Sequence, residues 1–188
     1  MKTYIKTIMK LKCKSLTIIL IVIILCAISI AFFFVLFPIK KRNLVNSMAD
    51  KYSLPRYVVA SIVNIESSFD SNAISKVGAI GLMQLMPTTA FDCADRLNIE
   101  ITIDDLYDES INMEIGCYYF TYLLKLFDNN IINSLCAYNW GLNNVRVWID
   151  KGNCDSEGTI TNIPVDETRI YLKKFKINKF VYQNIYRY

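Results

Sequence analysis

From Leu16 to Phe37 the chain runs for 22 residues without a single charge, with Thr17 and Ser29 among its few polar side chains. As a helix rising 1.5 Å per residue this stretch measures roughly 33 Å, enough to cross a hydrocarbon core of ~30 Å. A cleaved signal peptide has a shorter apolar region followed by a small-residue cleavage site. Here Phe32-Phe33-Phe34-Val35-Leu36-Phe37 continues straight through where such a site would fall. Leu25 before Cys26 also argues against a lipid-modified cysteine, because bacterial lipoproteins usually carry a small residue there. The stretch therefore reads as an uncleaved signal anchor. Five lysines precede it and Lys40-Lys41-Arg42 follow it, a modest bias for an N-terminus on the cytoplasmic side. The expected organisation is a basic N-terminus over 1–15, a transmembrane anchor over 16–37, a short juxtamembrane linker or helix over 38–53, and a folded domain over 44–188.

The net charge of +4 hides two opposed regions. Eight of the 21 basic residues lie in residues 1–42, which contain no acid; the remaining 13 face 17 acidic residues, a net charge of −4 over 43–188. The basic excess thus flanks the membrane segment and does not describe a nucleic-acid surface. The chain has no histidine. Ser-His and Cys-His nucleophile pairs are excluded, and a catalytic zinc site is not expected. Acid-base chemistry must fall to carboxylates, tyrosines or lysines. No phosphate-binding glycine loop and no internal repeat occurs, and no cofactor or metal is expected.

One glutamate stands out. Val58, Ile62, Ile65 and Phe69 recur at helical spacing after Pro55, and Glu66 borders that apolar stripe. A carboxyl pressed against apolar neighbours has its charged form disfavoured and can hold a proton near neutrality, as a general acid must. A surface glutamate at a helix end is the plain alternative. Gly78 and Gly81 then bracket a turn, and Leu82-Met83-Gln84-Leu85-Met86 is stopped by Pro87.

Glu66-Ser67, the Gly78–Pro87 block, Ala137-Tyr138-Asn139-Trp140-Gly141 and Glu167-Thr168-Arg169-Ile170-Tyr171 follow one another in order. Together they resemble the lytic transglycosylases of the soluble-transglycosylase type, relatives of goose-type lysozyme that cleave the peptidoglycan glycan strand. The resemblance covers roughly residues 44–175. It implies a mainly α chain, with a lysozyme-like helical catalytic domain preceded by a single N-terminal transmembrane helix. The pattern departs at Asn143, where a second glycine usually stands, and at Trp140, which replaces a small residue.

The apolar and capping patterns predict further helices over 43–52, 88–97, 110–127, 131–138, 145–150 and 166–188, with Ser110 as the N-cap of the third. Between them, 98–108 is irregular, and the alternation of Ile99, Ile101 and Ile103 allows a small β element. Cys93, Cys117, Cys136 and Cys154 allow three pairings if all bond; free thiols are the favoured reading, since the domain has core enough without staples.

By the resemblance, Glu66 is the catalytic acid and base. Ser75 bonds the acetamido region of the substrate, Gln84 and Met86 line sugar subsites, Tyr138 and Asn139 form the opposite wall, and Tyr171 turns its hydroxyl to Glu66. The implied reaction closes a 1,6-anhydro ring on N-acetylmuramic acid without consuming water. A hydrolase on the same fold and a non-catalytic glycan-binding scaffold are the rival readings. Expected partners are peptidoglycan strands and the membrane; membership of a secretion, conjugation or cell-wall assembly complex is compatible with this. The expected location is a single-pass position in the cell membrane with the domain extracytoplasmic.

Overall fold

The computed structural model describes the backbone of all 188 residues and the side chains of Met1 and of residues 16–188. The chain divides into two units, Met1–Pro38 and Ile39–Tyr188. The first is one helix, α1 (Lys2–Leu36). Its Leu16–Leu36 portion, 21 residues, is long and apolar enough to cross a membrane, and its side chains are exposed almost throughout. The Ser29 hydroxyl donates to the Leu25 carbonyl at 2.9 Å, so this polar side chain is satisfied within its own helix.

The second unit is helical: α2 (Arg42–Lys51), α3 (Arg56–Ser67), α4 (Pro87–Leu97), a 3-10 turn at Asp104–Tyr107, α5 (Glu109–Leu126), α6 (Ile131–Trp140), α7 (Leu142–Asp150) and α8 (Asp166–Phe180), which continues as a π-helical turn over Val181–Ile185. Residues 58–64 of α3 are all buried, so this helix is enclosed on every side, with α8 and α2 as its neighbours. α5 is buried almost as fully through Asn112, Met113, Ile115, Gly116, Cys117, Phe120 and Leu123. A side chain at Gly116 has no room, because a Cβ there would lie 2.4 Å from the Met83 sulfur. A second apolar cluster joins Leu123, Cys136, Ala137, Val145, Trp148, Ile160 and Ile163.

Several boundaries differ from expectation for local electrostatic reasons. α5 is capped by Asp108, not Ser110: the Asp108 carboxylate accepts from the Ser110 and Ile111 amides, each at 2.9 Å, an arrangement that also places negative charge at the helix N-terminus. No strand forms over 98–108. The Asp105 carboxylate accepts from the Thr102 amide and hydroxyl, both at 2.7 Å, and closes the 3-10 turn instead. Phe69 lies beyond the end of α3. Ser68 and Phe69 have φ of 53° and 64°, which reverses the chain and buries Phe69 edge-on against Tyr182, ring centroids 6.4 Å apart. Asn143 lies within α7 and has no positive φ; the glycine conformation is needed at Gly141, φ +91°.

Two buried asparagines tie loops to helices. Asn112 on α5 accepts from the Met83 amide at 2.8 Å and donates to the Ile80 and Leu106 carbonyls at 2.9 and 2.8 Å. Asn133 on α6 accepts from the Ile160 amide at 2.9 Å and donates to the Gly158 carbonyl at 2.8 Å. Each satisfies backbone groups that a buried loop cannot give to water. Cys93, Cys117, Cys136 and Cys154 are free thiols.

Candidate active site

Glu66 is the penultimate residue of α3, partly buried. α3 is held against α8 at this level by a buried bond from the Asn64 side-chain amide to the Asn178 side-chain oxygen, 2.7 Å. The next residue, Ser67, donates its hydroxyl to the Leu82 carbonyl at 2.8 Å, joining the end of α3 to the turn that follows Gly81. Tyr138 on α6 donates to the next carbonyl along that turn, Met83, at 2.8 Å, and its ring packs at a tilt against Tyr119, 5.5 Å between centroids. The turn is therefore clamped from α3, α5 and α6 together.

The carboxyl of Glu66 is enclosed closely enough that burial pushes its pKa up to about 7. Three nearby groups modify that effect. The Tyr171 hydroxyl and then the Lys174 ammonium favour the charged form; Glu167, the weakest of the influences, opposes it. Tyr171 is 5% exposed, and its hydroxyl has no partner at strict hydrogen-bond geometry. The polar group it faces is the Glu66 carboxyl. Burial first, and the Glu66 charge second, hold the Tyr138 and Tyr171 phenols well above their ordinary range, so both stay protonated as donors.

Beside Tyr171 opens a cavity of about 420 Å³ lined by Asn139, Glu167, Ile170, Tyr171 and Lys174. Asn139 accepts from the Thr168 hydroxyl at 2.8 Å, which leaves its amide hydrogens for a ligand. A second cavity, about 430 Å³, is reached across Tyr119 and is walled by Thr89, Arg96, Tyr122, Gly141 and Asn143 among others. Trp140 packs at the border of the second apolar cluster.

Of the residues singled out in the sequence, Glu66, Tyr138, Asn139 and Tyr171 are gathered from α3, α6 and α8. Ser75 and Gln84 belong to the loop before α4 and spend much of their capacity inside it. The Ser75 hydroxyl accepts from the Ala79 amide at 2.9 Å. The Gln84 amide donates to the Ala73 and Gly81 carbonyls, each at 3.0 Å, with Gln84 itself at φ 47°. What they can still offer a ligand is the Ser75 hydroxyl hydrogen and the Gln84 side-chain oxygen. Met86 caps the start of α4 and is 40% exposed, so it is not core. Asp70 is exposed and accepts from the Asn72 amide at 2.9 Å, a local turn contact. Sequence reasoning missed Glu167, Ile170 and Lys174. Their signal was present in the spacing, since 167, 170, 171 and 174 share one side of a helix.

Residues 43–158 match the family described as the Transglycosylase SLT domain. The chain is 34% identical over 156 residues to the soluble lytic murein transglycosylase of Escherichia coli (strain K12), a match covering 81% of this chain and 24% of that protein. It is 38% identical over 89 residues to the membrane-bound lytic murein transglycosylase E of Buchnera aphidicola subsp. Acyrthosiphon pisum, covering 46% of this chain and 40% of the relative. Among solved structures, the 70 kDa soluble lytic transglycosylase from Escherichia coli superposes with a TM-score of 0.71 at 32% identity, over 80% of this chain and 25% of that one. The chain thus spans about a quarter of the length of the soluble relatives it matches.

Proposed function

Because the chain belongs to the SLT-domain lytic transglycosylase family, we propose that it is a lyase that cleaves the β-1,4 bond between N-acetylmuramic acid and N-acetylglucosamine in peptidoglycan. The observation that carries this reading is the Glu66 carboxyl, raised to about 7 by burial and faced by the Tyr171 hydroxyl. A carboxyl with that pKa is protonated in a large fraction of molecules at neutral pH, and its conjugate base is strong enough to take a proton back.

In this reading the protonated Glu66 gives its proton to the glycosidic oxygen as the bond to C1 breaks. The substrate's own acetamido oxygen stabilises the cationic C1. The Glu66 carboxylate then removes the proton from the C6 hydroxyl, O6 bonds to C1, and the acid form is restored. The Tyr171 hydroxyl steadies the carboxylate between the two halves. The amide hydrogens of Asn139, the hydroxyl of Ser75 and the side-chain oxygen of Gln84 are the polar contacts offered to the sugars. Met86 and the Tyr138 ring supply apolar surface.

Two-carboxylate glycosidases place a second acid across the bond to activate water or attack C1. Asp70 is turned into its own loop, and Glu167 is a solvated residue on the first turn of α8 with only the weakest effect on Glu66. The C6 hydroxyl, tethered to the reacting ring, has the effective-molarity advantage over a free water, which a second group would have to hold and deprotonate. Digestion of purified peptidoglycan should therefore release 1,6-anhydro-N-acetylmuramyl ends, lighter than hydrolysed ends by one water. Borohydride-reducible muramic acid as the main product would make the protein a lysozyme. Leu16–Leu36 is proposed as a single-pass anchor with the domain on the extracytoplasmic side, where the glycan lies.

A further inference from the structure

We propose that the outward face of α8 is a docking surface for an anionic lipid bilayer. α8 turns Thr168, Tyr171, Phe175 and Asn178 to the core. At about 100° per residue, Ile170, Lys173, Ile177 and Phe180 fall on the opposite side of the helix. Ile170, Ile177 and Phe180 are 52%, 56% and 62% exposed, so this is a line of large apolar side chains with no place in the domain's own core. Lys174 and Lys176 flank the line on either side of Lys173, and none of residues 168–188 is acidic; Lys179 turns away from it and lies over the Tyr57 ring, 5.6 Å from the centroid. Among the described residues the ion pairs of the domain engage Lys41, Lys51, Arg56 and Arg169, and not Lys173 or Lys176; the Lys174 ammonium acts on the Glu66 carboxyl.

The pattern specifies a partner that is apolar beneath the helix and negative at the level of its flanks. A bilayer interface has that layering: isoleucine and phenylalanine enter the acyl boundary while lysine stems extend to phosphate. A soluble anionic polymer would satisfy the lysines and leave Ile177 and Phe180 in water. Covalent linkage favours the bilayer further. Only five residues, 37–41, separate α1 from α2, and fully extended they reach about 18 Å. If α1 is a membrane anchor, a reading on which this inference rests, the domain meets a bilayer at high effective concentration. Ile170 and Lys174 also line the cavity beside Tyr171, so the docked face ends where the cleft begins.

The test uses the full chain reconstituted into vesicles of phosphatidylcholine alone or mixed with phosphatidylglycerol. A water-soluble amine-acylating reagent is applied and the lysines are read by mass spectrometry. Lys173 and Lys176 should react several-fold more slowly in the anionic vesicles, while the exposed Lys125 and Lys151 keep one rate in both. The paired variant Ile177→Ser, Phe180→Ser, which alters only exposed side chains, should restore the faster rate with the far-UV spectrum unchanged. Equal rates in the two lipids, or slowing that survives the paired variant, overturns the proposal. So does protection by soluble polyphosphate with none from vesicles, which would make the face a polymer site. Extraction of the chain by alkaline carbonate would overturn anchor and docking together, whereas retention with equal labelling overturns docking alone.

Discussion

The buried hydroxyl of Tyr171, on the second turn of α8, faces the carboxyl of Glu66 at the end of α3. Burial raises the carboxyl towards neutrality and the hydroxyl draws it partly back, so the acid strength at the site is a balance between two helices. The residues of that balance can be altered singly.

Glu66→Gln keeps the size and polarity of the side chain but cannot deliver a proton. Turnover should fall by at least ~10², the usual scale of general acid-base catalysis. Near-wild-type release of anhydro ends by this variant would move the catalytic role elsewhere.

Relative to wild type, the same variant should become more stable as pH rises. The folded-state pKa of Glu66 is about 7, above its ordinary value of 4.5. Between those values the native state binds more protons than the unfolded one, so stability falls as pH climbs through this window. Replacing Glu66 by neutral glutamine removes that loss. The unfolding free energy of the variant relative to wild type, taken from urea denaturation, should improve from pH 5 to pH 8 by on the order of 2 kcal/mol once partial exposure is allowed for. A difference that does not change with pH would show that the carboxyl titrates normally.

Tyr171→Phe removes the hydroxyl and keeps the ring. The charged form of Glu66 loses a donor, its pKa rises further, and the alkaline limb of the pH–rate profile should move to higher pH. Lys174→Met should move the limb the same way, because the ammonium also favours the carboxylate. A shift towards acid in either variant would contradict the arrangement.

Asn112→Ala leaves the Met83 amide and the Ile80 and Leu106 carbonyls buried without their partner. At about 1–3 kcal/mol for each unmet group the loss should be about 3 kcal/mol or more, a large share of the stability of an ordinary domain. Because the clamped turn carries Gln84 and Met86, activity should fall even where the domain remains folded. A change in the urea midpoint worth less than ~1 kcal/mol would mean that water replaces the side chain.

If α1 anchors the chain, full-length protein should remain in membranes after alkaline carbonate washing, with residues 43–188 open to external protease. A fragment beginning near Phe32 would show a cleaved signal instead.

The sequence by itself determined what depends on local pattern. Twenty-two uncharged residues mark a helix long and apolar enough to cross a membrane, and the periods of apolar residues located the helices of the domain to within a few positions. The absence of histidine left carboxylates, tyrosines or lysines for acid-base chemistry, and the apolar stripe beside Glu66 made it a candidate acid that only the family resemblance singled out. The tertiary structure decided what depends on partners distant in the chain. Asn112 and Asn133 read locally as indifferent helix residues, yet they hold loops through bonds to positions 29 and 27 residues away. Gln84 and Ser75 read as ligand contacts, but the closing of their loop claims the Gln84 amide hydrogens and occupies the Ser75 oxygen. Phe69 leaves the stripe it seemed to extend, because burial against Tyr182 outweighs two residues at positive φ. The pKa of Glu66 is the plainest case. It is set by enclosure together with Tyr171 and Lys174, more than a hundred residues along the chain, and no local pattern can report a desolvation that exists only once α3 and α8 have packed.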